Sequence, residues 1–163
     1  MRTFFKILSV VCFIVVPVSL FASDLKVPVP DFKLPTVNGD VTPSQYKGKV
    51  VYIDFWASWC MPCKKSFPWL NKMHEKYQSR GLVILAINLD RKKELADAFL
   101  QRIPASFTVA YDPEGLAAKD FKVQGMPTSY LVDRQSMVVG SHTGFREKDI
   151  AALEQAIVKL LDQ

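Results

Sequence analysis

From residue 50 onward the apolar positions of this chain fall into two alternating rhythms. Residues 50–55, within KVVYIDFW, form a β-branched and aromatic run that reads as a buried strand. Phe67, Leu70, Met73 and Tyr77 then recur at spacings of three, three and four, which puts them on one helical face. Gly81 stands where a C-cap would end that helix. LVILAINL, residues 82–89, is an unbroken apolar run of strand length, the form taken by a strand covered on both faces. A second helix is predicted over residues 93–102, with Leu95, Phe99 and Ile103 inward and Pro104 as its stop. Residues 107–111 read as a short strand, DPEG at 112–115 as a turn, and residues 116–121 as a short helix. Residues 129–132 and 137–139 read as two strands of a hairpin turned at Asp133, Arg134 and Gln135. A last helix over residues 147–161 carries Ile150, Leu153, Ile157 and Leu160 on one face.

Upstream the rhythm is lost. Residues 24–48 hold Pro28, Pro30, Pro35, Gly39, Pro43 and Gly48, and predict an extended, turn-rich entry with a short strand near Phe32. Strands alternating with helices call for a parallel sheet, and the hairpin adds an antiparallel part. The expected fold is one α/β domain, a central mixed sheet with helices on both faces. A chain of 163 residues without repeats fits that size.

The N-terminus changes the picture of compartment. MRTFFK supplies Arg2 and Lys6, an apolar run follows from Ile7 to Ala22, and small residues end it. This is the pattern of a secretory signal peptide, with Ala22 and Ser23 as the border. The alternative is an uncleaved anchor, but a spanning helix wants roughly 20 apolar residues. This run has 16, with Pro17 inside it. Either way residues 23–163 are expected to be exported, to the periplasm. Cys12 lies inside the greasy run without the small neighbours of a lipid-attachment site, so it reads as filler. Without residues 1–22 the chain keeps 19 basic and 16 acidic residues, a net +3. The basic residues are scattered, with one short run at Arg91, Lys92 and Lys93, which reads as a solvated helix start rather than a nucleic-acid stripe.

Two cysteines then remain, Cys60 and Cys63, in WASWCMPCKKSF at the junction of the first strand and first helix. A helix N-terminus offers free N–H groups and roughly half a positive charge, which favour a thiolate. Lys64 and Lys65 add cations, though screened ones. Such sites lower a thiol from about 8.5 toward roughly 7. Cys60 is then placed to attack a disulfide, and Cys63, one turn further in, to resolve the mixed disulfide. Zinc would need two more ligands. His74 lies roughly 16 Å along the same helix from Cys63 at about 1.5 Å per residue, too far to join. A staple across two residues closes too small a loop to constrain the unfolded chain much, and inert thiols do not suit an oxidising compartment. Asp54 interrupts its strand between Ile53 and Phe55. Taken alone it reads as a residue on an edge or a partly exposed face.

YIDFWASWCMPC resembles the active-site strand and motif of the thioredoxins, and GMPTSYLVD, residues 125–133, resembles their cis-proline segment and following strand. The resemblance spans nearly all of residues 28–162. A helix-plus-strand insertion between Arg91 and Tyr111, with the exported N-terminus, is similar to the TlpA/ResA branch of thiol–disulfide oxidoreductases. It implies Cys60 as nucleophile, Cys63 as resolving cysteine, and Asp54 as a buried carboxyl that moves the proton of Cys63. It also implies substrate contacts at Trp59, Pro62, Met126 and Pro127, with Met126–Pro127 cis and the Met126 backbone open to an added strand. Trp56 is expected in the core. Without the resemblance, Pro127 reads as an ordinary turn before a strand.

One departure counts. Members of this branch that serve cytochrome c maturation often carry a glutamate three residues after the second cysteine, and Ser66 stands there. The Met61–Pro62 dipeptide lacks the histidine of strong oxidants, which places the pair nearer thioredoxin, about −270 mV, than DsbA, about −120 mV. The expected function is an exported, monomeric protein-disulfide reductase without cofactor or resident metal. Its partners would be disulfide-bearing proteins and a membrane thiol-electron carrier, with no nucleic acid. A reading of another class is a copper metallochaperone that uses Cys60, Cys63 and His142, since soft thiolates favour copper(I). Otherwise His142 reads as a surface residue before the turn at Gly144. A peroxidase centred on Cys60 ranks last, for lack of a threonine- and arginine-flanked cysteine.

Overall fold

Strand β4 (Val50–Trp56) is buried at every position, because the sheet is covered on both faces around it. Its side chains alternate between two cores. Val50, Tyr52 and Trp56 enter one cluster with Cys63, Phe67, Leu70, Met73, Phe99, Leu153 and Ile157. Val51, Ile53 and Phe55 enter the other with Phe32, Leu34, Val41, Ala117, Ala118 and Phe121. The computed structural model describes residues 27–163. The predicted signal, its border at residues 22 and 23, and Cys12 lie outside the described residues.

The remaining strands are β1 (Val27–Pro28), β2 (Leu34–Thr36), β3 (Gly39–Val41), β5 (Leu82–Asn88), β6 (Thr108–Tyr111), β7 (Thr128–Val132) and β8 (Met137–Thr143). The helices are α1 (Met61–Tyr77), α2 (Lys93–Arg102), α3 (Leu116–Asp120) and α4 (Ile150–Leu161). The sheet runs β1-β8-β7-β4-β5-β6-β2-β3. β4, β5 and β6 are mutually parallel, and the remaining pairings are antiparallel. Both parallel crossovers step the same way along the sheet, so right-handed connections place α1 and α2 on one face. α4 packs on that face too, and α3 covers the other. The predicted mixed sheet with helices on both faces is the fold observed. Chain order reverses beside β4, and open sheets of this kind bind at the carboxyl ends of strands at such a point.

The short strand expected near Phe32 is β2, which pairs with β3 in a hairpin that extends the β6 edge; Phe32 itself is a buried loop residue. Three expectations need correction. In α2, Leu95 is 49% exposed, and Ala96 and Phe99 are buried, so the inward stripe starts one residue later. In α4 the buried set is Leu153, Ile157 and Leu161; Leu160 only flanks the core. β8 runs four residues beyond its predicted end. His142 falls in that extension, opposite Ser129, and is buried rather than on the surface. A register shift at Val139 interrupts the period-2 pattern of β8, and the residues after it are glycine and polar ones.

Trp56, Phe67, Phe99 and Phe107 form an aromatic block between β4, α1, α2 and the loop that enters β6, with ring centroids 4.6–5.5 Å apart. Phe99→Ala should therefore cost about 3–5 kcal/mol. Leu95→Ala, on the exposed side of the same helix, should stay within about 0.5 kcal/mol. Urea unfolding monitored by circular dichroism checks both, and similar losses in the two variants would contradict the packing.

Candidate active site

The β4–α1 junction is fixed before the cysteines enter. Leu89 N–H donates to the Trp56 carbonyl at 2.9 Å, and Cys60 N–H to the Ala57 carbonyl at 3.1 Å. Asp90, buried after the end of β5, accepts from the Ser58 N–H at 2.8 Å, the Ser58 hydroxyl at 2.9 Å and the Asn88 amide at 2.8 Å. That carboxylate holds the turn leading into the helix. Sequence reasoning missed it. The available signal was Asn88 and Asp90 ending an apolar strand, where side chains meet the neighbouring loop.

Cys60 occupies the N-cap of α1 with extended backbone, and the Cys63 N–H donates to its sulfur at 3.2 Å. A sulfur thus takes the role usually filled by a serine or aspartate oxygen, against free N–H groups and the positive end of the helix dipole. Pro62 in the first turn gives up no intrahelical bond there. The two cysteines are joined in a disulfide, with Cα atoms 5.3 Å apart. They are not equivalent: Cys63 is fully enclosed, while Cys60 keeps a small opening. Trp59 and Met61, on either side of Cys60, are 67% and 64% exposed. Pro62 is exposed as well. Trp56 lies in the core, as expected.

The second predicted segment arrives at the same end of the sheet. Thr128 stands opposite Phe55 in the β4–β7 ladder, which brings Pro127 toward the end of β4 that leads to Cys60. The Met126–Pro127 peptide is cis, as the resemblance implied. The Gly144 N–H donates to the Pro127 carbonyl at 2.7 Å, and the Thr128 hydroxyl to the Gly125 carbonyl at 2.7 Å. Ser66 is buried and donates to the Cys63 carbonyl at 3.1 Å, so the position often acidic in this branch carries no charge.

Asp54 is 1% exposed, on the face of β4 shared by Tyr52 and Trp56, whose cluster holds Cys63. Its Oδ1 accepts from the Ser129 hydroxyl at 3.1 Å. Its Oδ2 has no hydrogen-bond partner among the described residues. Burial pushes its pKa from 3.8 to about 7, and the Ser129 hydrogen bond opposes part of that rise. Tyr52 donates to Ser129 at 2.9 Å, and burial, with Asp54 nearby, drives its own pKa up. His142 lies opposite Ser129 on β8, with Nε2 3.5 Å from buried Asp149, which also takes a 2.7 Å bond from Arg146 Nε. Burial lowers the His142 pKa, although Asp149 works against that shift. Among the described residues no three His, Cys, Asp or Glu side chains are grouped to hold a metal ion.

The sign of the Asp54 shift fixes a pH dependence. The folded, oxidised protein holds a proton that the unfolded chain releases, between the ordinary 3.8 and about 7. The stability this group contributes is intact below pH ~4 and is lost as pH rises through ~7. Asp54→Asn should therefore be more stable than the parent at pH 8, on the order of 2–4 kcal/mol, with the gap closing toward pH 4. Urea unfolding of both oxidised proteins across that range is the check. A gap independent of pH would remove the shift.

Comparison with known proteins agrees with this geometry. The model of the AhpC/TSA family matches residues 25–141. The thiol–disulfide oxidoreductase ResA of Bacillus thuringiensis subsp. konkukian (strain 97-27) is 31% identical over 132 residues, 80% of this chain and 75% of that protein. ResA of Bacillus subtilis (strain 168) is 33% identical over 116 residues, 71% of this chain and 65% of that protein. Among solved structures, a Chlorobium tepidum protein assigned as the thiol:disulfide interchange protein DsbE superposes with a TM-score of 0.83 at 49% identity, covering 86% of this chain and 99% of that one. A Bacteroides thetaiotaomicron protein assigned as a protein disulfide isomerase gives 0.78 at 27% identity, over 90% and 96%. With a thioredoxin-like sheet, a cysteine pair bonded at a helix N-terminus and these relatives, the chain belongs to the AhpC/TSA family and is a thiol–disulfide oxidoreductase.

Proposed function

We propose that this oxidoreductase works as an exported, monomeric reductase of protein disulfides. Residues 1–22 would serve as leader or anchor and residues 23–163 as the thioredoxin-like domain. The observation that carries the reading is the asymmetry of the pair: Cys60 caps the helix beside exposed Trp59 and Met61 and keeps a small opening to solvent, while Cys63 is fully enclosed on the face of β4 that Asp54 shares.

The reduced pair starts the cycle. The Cys60 thiolate attacks one sulfur of a substrate disulfide; that S–S bond breaks, and the first substrate sulfur leaves as a thiolate and takes up a proton. Cys63 passes its thiol proton to the Asp54 carboxylate and attacks the Cys60 sulfur. The bond between Cys60 and the substrate breaks, and the second substrate thiolate leaves. Two electrons have moved to the substrate, and the pair ends as the disulfide seen here. Asp54 can accept that proton only while ionised, and a value of about 7 leaves it roughly half ionised at neutral pH. Trp59 and Pro62 offer contact surface beside Cys60, and the Met126 backbone and Pro127 an edge for an extended segment.

Direction and compartment rest on the sequence. The Met61–Pro62 dipeptide carries no histidine to hold the thiolate, which favours a reducing pair. The basic and apolar N-terminus supports export. A reductant working outside the cytoplasm is regenerated by electrons from within, through a membrane thiol-electron carrier. Ser66 argues against cytochrome c maturation as the task.

Cys60→Ser should abolish dithiothreitol-driven insulin reduction, and Cys63→Ser should accumulate mixed disulfides seen on non-reducing gels. In Cys63→Ser the thiolate absorbance of Cys60 should rise with a midpoint near or below neutrality. A midpoint above about 8.5, the value of a free thiol, would remove the nucleophile from the scheme.

A further inference from the structure

Three buried polar side chains on the α1 face of the sheet are chained by hydrogen bonds, and two of them, Tyr52 and Ser129, have no part in the chemistry above. The β4–β7 register sets Ser129 directly opposite Asp54, and Tyr52 lies two residues before Asp54 on the same face. The distances are 2.9 Å from Tyr52 to the Ser129 hydroxyl and 3.1 Å from Ser129 to Asp54 Oδ1. All three residues are at most 3% exposed.

A hydroxyl carries one proton and two lone pairs. The phenol of Tyr52 donates to Ser129, which leaves the Ser129 proton for an acceptor, and Asp54 Oδ1 is where it goes. Two arrangements compete once Asp54 is neutral. In one, the acid proton sits on Oδ1 and donates to Ser129; the Ser129 proton then loses its acceptor, and Oδ2 becomes a buried carbonyl oxygen without a donor. In the other, Ser129 keeps donating to Oδ1, now the carbonyl oxygen, and the acid proton sits on Oδ2. The first leaves two buried groups unpaired and the second leaves one, and each unpaired buried group costs on the scale of a lost hydrogen bond. Tyr52 also polarises the Ser129 O–H as a donor, which favours the second again.

We propose that Ser129, oriented by Tyr52, is a positioning residue that reserves Oδ1 of Asp54 as an acceptor and confines its exchangeable proton to Oδ2. Oδ2 is the oxygen without a partner among the described residues, and hence the one left to trade a proton with a thiol. The inference rests on the proposed role of Asp54 toward Cys63. The ionisable groups around the chain are Tyr52 from β4, Cys63 from α1 and His142 from β8, with Asp149 and Arg146 behind His142. β5 presents Ala86 opposite Asp54, which does not titrate.

The test reads Asp54 directly, by carboxyl-carbon NMR and by the infrared carbonyl stretch of its neutral form in the full oxidised protein. Cys63-dependent release of a mixed disulfide is followed against pH in parallel, on the reduced protein. Ser129→Ala removes a donor to the carboxylate, so the Asp54 midpoint should rise by about one pH unit, and the carbonyl stretch should move to higher wavenumber. Tyr52→Phe should shift both the same way by less. Ser129→Thr, which keeps the hydroxyl, should return both to the parent values. An unchanged midpoint and stretch in both Ser129→Ala and Tyr52→Phe would overturn the positioning. A shifted midpoint with an unmoved release profile would uphold the positioning and instead overturn the role of Asp54 in resolving the mixed disulfide.

Discussion

At the start of α1 the Cys63 N–H donates to the Cys60 sulfur over 3.2 Å, and that capping bond ties the chemistry to the fold. It forms only if the chain leaves β4 in the right direction and turns at once into a helix. The direction is set by a strand buried on both faces, which cannot slip in register without driving one apolar row into the other core. The turn is set by Asp90, whose carboxylate gathers the Ser58 backbone and hydroxyl. The helix is then held from below by Phe67, Leu70 and Met73. A sulfur in that position meets unpaired N–H groups and the dipole of a 17-residue helix, whose effect falls off within about one turn.

The same sheet makes room for a carboxyl in its interior. A charged carboxylate buried without a cation is costly, and the protein lessens that cost by letting Asp54 hold its proton to about pH 7. The polar row that accompanies it crosses three adjacent strands, with Asp54, Ser129 and His142 standing opposite one another. Aromatic packing flanks the row: the Tyr52 ring lies against Trp69 with centroids 5.7 Å apart, and Trp69 against Phe145 at 5.6 Å.

Legibility in the sequence followed the range of the interactions involved. β4, β5 and α1 were readable because their burial is one-dimensional: an unbroken apolar run, or a stripe at helical spacing. The cysteine pair was readable because strand, motif and helix lie in one contiguous stretch. The β2–β3 hairpin was not, since its strands of three residues contain Pro35 and Gly39 and take their stability from the β6 edge. His142 was misread because a register shift at Val139 interrupts the alternation of β8, and only glycine and polar residues follow it. Asp90, Ser129 and Tyr52 stayed hidden for a related reason. Each matters through a partner 32 or more positions away, and cross-strand register is not written in local spacing.

The two thiols are best understood as a pair whose surroundings push their ionisation apart. Cys60 sits against backbone donors that favour a negative sulfur and keeps a small opening to solvent. Cys63 sits in the core, where desolvation disfavours a thiolate, and an ionised Asp54 on the same face disfavours it further. Under the proposed proton transfer a thiolate at Cys63 and a carboxylate at Asp54 would disfavour one another. That antagonism has a use. The inner sulfur becomes nucleophilic only as its proton moves to the carboxyl, while the outer one is ionised beforehand. Attack on substrate thus falls to Cys60 and resolution to Cys63, an order imposed by burial rather than by any difference in the side chains themselves.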